Sequence, residues 1–134
     1  MRAKFLPLLA LLFATQSYAK DYPAIEQMVA INGLTMDVTD IGVQGDTAPA
    51  KDETAITSLK KDIAKALKEA KGDRSLTAAV KSYYVDVDSF YEGVEPQAGE
   101  SVLLYRARMD QLETQAKRSS SRLKLELMSR GASI

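Results

Sequence analysis

The sequence predicts a small all-α protein, an antiparallel bundle of about four helices in which the last helix is long. Three observations carry this. Apolar residues recur at spacings of three and four in four separate stretches. Turn chemistry separates those stretches at Gly42–Pro49, Lys71–Ser75 and Gly93–Gly99. Connections of roughly five to ten residues join them, and helices joined that closely run antiparallel to their neighbours.

The first helix starts at Pro23, a residue suited to a first turn, and Ala24, Met28, Ile31, Val38 and Ile41 follow its period up to Gly42. Leu34, Met36 and Val38 also alternate as a strand would, and Asn32-Gly33 reads either as a turn or as a weak point costing about 1 kcal/mol. The helix-like pattern of residues 24–31 favours one helix, interrupted or not. The second stretch, from Glu53 to Lys71, places Ile56, Leu59, Ile63, Ala66, Leu67 and Ala70 on one stripe, with Asp52 as N-cap and Gly72 beyond the last turn. Lys60, Lys61, Lys65 and Lys68 form its solvated face.

The third stretch begins at Asp73 or Ser75 and gathers Leu76, Ala79, Val80, Tyr83, Tyr84, Val87, Phe90 and Tyr91 on a broad aromatic face before Gly93. A strand over residues 83–87 is the competing reading, but the longer 3.6-residue period outweighs it. The fourth runs from Ser101 to Arg130 with Tyr105, Met109, Leu112, Ala116, Ser119 and Leu123 spaced like a coiled-coil seam. Ser119-Ser120-Ser121 is its weak point, because serines compete with the helix for backbone hydrogen bonds.

Residues 1–19 have the pattern of a cleaved secretory signal peptide. Arg2 and Lys4 are followed by ten mostly apolar residues from Phe5 to Ala14, and Ser17-Tyr18-Ala19 is a small-x-small cleavage site. Ten apolar residues are about half the roughly 20 that span a bilayer, so no membrane span is expected after cleavage. The mature chain, residues 20–134, is then a single domain, periplasmic or secreted. It carries 16 basic and 18 acidic side chains. A nearly neutral exported chain is not a nucleic-acid binder.

With no Cys and no His, thiol nucleophiles, imidazole bases, Cys/His zinc sites, His-ligated haem and disulfides are all excluded. No cofactor is expected. The acidic run Asp86, Asp88, Glu92, Glu95 and Glu100 fails the spacing of a calcium loop, since Phe90 and Tyr91 stand where a ligand and a glycine belong. Ser58-x-x-Lys61 and Ser121-x-x-Lys124 lack the companion elements of serine acyl-transfer enzymes.

The expected role is binding of another protein, including a second copy of itself, or of an envelope component. Leu123, Leu125, Leu127 and Met128 are the candidate partner-binding residues, because a last helix longer than its neighbours projects its C-terminal turns past the bundle. The competing placement is a bend at the serines that packs them on their own bundle. The alternative function is a small ligand carrier or an all-helical enzyme of the exported chorismate mutase type, working by electrostatic clamping with Arg106, Arg108, Arg118 and Arg122. Its mark would be a polar cavity fed by several helices. Charge is polarised along the chain: residues 20–50 carry a net −4 and residues 106–130 a net +4.

Overall fold

A computed structural model describes residues 21–42 and 49–132, with side chains of the first helix through residue 33. Four helices make up the fold: α1 (Pro23–Gly42), α2 (Glu53–Glu69), α3 (Arg74–Glu92) and α4 (Val102–Ser129). Among the described residues there is no strand, so both strand readings give way to helix. The signal segment, part of the Gly42–Pro49 connection, and the side chains at 34, 36, 38 and 41 lie outside the described residues.

Each N-terminus is satisfied by a side chain that the local sequence supplies, except the first. Asp52, Asp73 and Ser101 cap α2, α3 and α4 by accepting the backbone N–H of Ala55, Leu76 and Leu104. For α1 the cap is tertiary: the Glu69 carboxylate at the end of α2 accepts the N–H of Ala24 at 2.8 Å and of Ile25 at 3.0 Å. That contact also fixes α1 and α2 as antiparallel. The α2–α3 turn closes through Gly72, whose φ of +87° is a left-handed backbone that side chains disfavour.

The helices form an open chain of contacts around α3, with α4 packed on α3, α2 on α3, and α1 on α2 with a lighter contact to α3. The acidic first helix and the basic last one are therefore not laid side by side. Tyr83, Phe90 and Tyr91 are the largest fully buried side chains, all on α3, and Phe90 meets Tyr91 edge-on at 6.0 Å between ring centres. Tyr91 also donates to the Asn32 side-chain oxygen at 2.8 Å, while the Asn32 amide donates to the Met28 carbonyl at 2.7 Å. The Asn32-Gly33 pair is thus no turn. Asn32 is the buried polar side chain that ties α1 to α3.

The α3–α4 connection is clasped by Arg108. Its guanidinium grips Glu100 with two bonds of 2.8 and 3.0 Å, donates to the carbonyls of Gly93 and Glu95, and lies 5.4 Å from the centre of the Tyr105 ring. A β-carbon at Gly93 would stand 2.5 Å from Leu112 and 3.1 Å from this guanidinium, so any side chain there must displace both. Arg108→Ala removes the guanidinium from two carbonyls and leaves the half-buried Glu100 carboxylate only the Gln97 N–H, and is expected to cost about 2 kcal/mol. Arg108→Lys recovers only part of it, since one ammonium cannot reproduce the fork. Urea unfolding of the three proteins checks this; equal midpoints would refute it.

Candidate interaction surface

Helix α4 carries two seams on opposite sides. The inner one is that expected from the spacing: Tyr105, Met109, Ala116, Leu123 and Leu127 are buried against the bundle, with Leu112 and Ser119 half-buried between them. Ser119 donates to the Asp86 carboxylate of α3, so the serine run bonds across to the bundle and the helix continues through it unbroken. The outer seam comprises Leu103, Ala107, Asp110, Thr114, Arg118, Ser121, Leu125 and Met128, every one exposed. Their steps of four and three place all eight within about an 80° arc, facing away from the inner seam.

Of the four predicted partner-binding residues, the structure separates two pairs. Leu123 and Leu127 have no exposed surface and belong to the core, whereas Leu125 is 65% and Met128 53% exposed. The C-terminal turns do not run past the bundle, because Arg130 reaches the first turn of α3 and holds Asp73 through contacts of 2.5 and 2.8 Å. At the opposite end Tyr105 donates to the Val94 carbonyl at 2.6 Å, which leaves the first turn of α4 as the overhang. Val102, Leu103 and Leu104 are 63–79% exposed there. Sequence reasoning misses these three. Their signal is nonetheless readable, since Leu103 and Leu104 lie out of phase with Tyr105 and Met109.

Several charged groups away from the outer seam are held in ion pairs. Lys51 binds Glu92, Arg108 binds Glu100, and Arg130 joins Asp73 to Glu126. The Arg130 guanidinium bonded to Asp73 pulls that carboxyl down to about 2, and Arg108 likewise holds Glu100 below its usual range. Asp88 moves the other way: burial raises it, Glu92 adds to the effect, Lys60 opposes it, and one of its oxygens is buried without a hydrogen bond. Among the described residues no cluster of three or more carboxylates could hold a metal ion.

The described interior is apolar apart from Asn32. Arg106, Arg118 and Arg122 are exposed on α4, and Arg108 is engaged in its clasp, so these arginines do not converge on a cavity. The depressions described are open surface hollows, one of about 760 Å³ beside the α2–α3 turn at Gly72 and Asp73. Among the described residues no helix is long and apolar enough to cross a membrane. Among the described residues, what remains as an organised, unpartnered feature is the outer seam of α4. Comparison with known proteins gives no matching family model, no matching curated protein and no matching solved structure.

Proposed function

We propose that this chain is an exported, non-enzymatic helical protein that binds another protein or an envelope component through the outer seam of its last helix. One observation carries the reading. Among the described residues, five of the seven exposed large apolar side chains, Val102, Leu103, Leu104, Leu125 and Met128, belong to α4, and three of them, Leu103, Leu125 and Met128, stand on the outer seam. Export is supported by the leader pattern of residues 1–19 and by the packing of the residues just beyond it. Tyr22, three residues past the expected cleavage point, is buried, and Glu69 caps Ala24 and Ile25. These contacts all lie within the expected mature chain.

The test is photo-crosslinking in the cells that make the protein, with a benzophenone amino acid replacing Leu103, Leu125 or, as a control, the exposed Lys61 of α2. Adducts at Leu103 and Leu125 but not at Lys61 are the expected result. Equal labelling at all three positions, or none, would overturn the assignment of this face. The N-terminal sequence of the purified protein should begin at Lys20; a retained leader would refute the export reading.

A further inference from the structure

The outer seam of α4 is complementary to itself, and we infer that its occupant is a second copy of this chain lying antiparallel. The inference rests on the proposed reading of that seam as an interaction surface. Its apolar residues sit at both ends. Leu103 and Met128 are 25 positions apart, about 38 Å along the helix, so on one chain they cannot form a single patch. A two-fold axis crossing the helix at the level of residues 115 and 116 brings Leu103 against the second copy's Met128 and Ala107 against its Leu125. The symmetry makes each contact twice.

Charge selects the same arrangement. Asp110 lies within one helical turn, along the axis, of the second copy's Arg118, and among the described residues neither side chain makes an ion pair within its own chain. A parallel pairing would instead stack Asp110 on Asp110 and Arg118 on Arg118, which repel. Ala107, Thr114 and Ser121 along the seam are small or short, while Asp110 and Arg118 stand at its two edges, so two helix axes can approach to about 8–10 Å. A single helix pair with apolar ends and a polar middle belongs to the small, reversible class of interfaces, about 1,200 Å² or less.

The experiment is sedimentation equilibrium of the mature chain, residues 20–134, with circular dichroism of every variant. A reversible dimer is expected, with Asp110→Arg weakening it about tenfold and the added Arg118→Asp restoring it. Because the chain has no cysteine, strand order can be read directly. Leu103→Cys mixed with Met128→Cys should form the mixed disulfide in preference to either homodimer. Preferred Leu103→Cys homodimers, or a monomer at about 100 μM, would overturn the proposal. The in-cell adducts then separate the two readings. An adduct of twice the chain mass supports self-pairing. A monomer that still yields adducts of another mass overturns self-pairing and leaves the surface standing, and a monomer with no adducts overturns both.

Discussion

Leu123→Asp or Leu127→Asp is expected to unfold the protein, while Leu125→Asp leaves it folded. All three residues lie within five positions on one helix, and their outcomes differ because the inner and outer seams alternate there. Leu123 and Leu127 have no exposed surface. Truncating a buried leucine to alanine costs about 2–5 kcal/mol, and a carboxylate in its place adds the desolvation of an unpaired charge. Against a total stability of about 5–15 kcal/mol for a domain of this size, either substitution removes most of the margin. Leu125 is 65% exposed, so its replacement should move stability by about 0.5 kcal/mol or less. Far-UV circular dichroism with thermal melting distinguishes them. A cooperative melt retained in Leu123→Asp would mean that the C-terminal turns are not packed on α3.

That contrast also shows what the sequence could and could not convey. The four helices, the cap at Asp52, that of α3 narrowed to Asp73 or Ser75, and the inner seam of α4 follow from spacing and local chemistry, which are properties of neighbouring residues. Which end of α4 overhangs is not local. It depends on where Tyr105 and Arg108 fasten the connection to Val94, Gly93 and Glu100 and on where Arg130 meets Asp73. The length of α4 was legible, its axial placement was not. Grouping Leu123, Leu125, Leu127 and Met128 by proximity mixes two phases of one helix. Separated by phase, the same four residues indicate a core pair and an exposed pair. The role of Asn32 is hidden differently. Beside Gly33 it resembles a turn, and its partner Tyr91 lies 59 positions away.

Asn32 is accordingly the position where a minimal chemical change should have a large, pH-dependent effect. In Asn32→Asp the shape is kept and the Tyr91 hydroxyl can still donate to one oxygen. The other oxygen replaces the amide that donates to the Met28 carbonyl at 2.7 Å, so a carboxylate there faces a carbonyl with no proton between them. Asn32 is only 3% exposed, and solvent cannot relieve the charge. We expect a loss of about 3 kcal/mol or more at pH 7. Protonation restores a donor toward Met28, so the folded state raises the pKa of the new carboxyl above its unfolded value of about 3.9. A group shifted in that direction contributes no penalty below the unfolded value, and the penalty grows as pH rises. The deficit relative to the parent should therefore shrink as pH falls toward about 4. Asp73, held down to about 2 by Arg130, loses its own contribution as pH falls from its unfolded value toward that figure. That loss occurs in both proteins and cancels in the difference. Urea unfolding of parent and variant between pH 7 and pH 4 measures it. A deficit that stays constant with pH would show that residue 32 does not sit in the dry contact between α1 and α3.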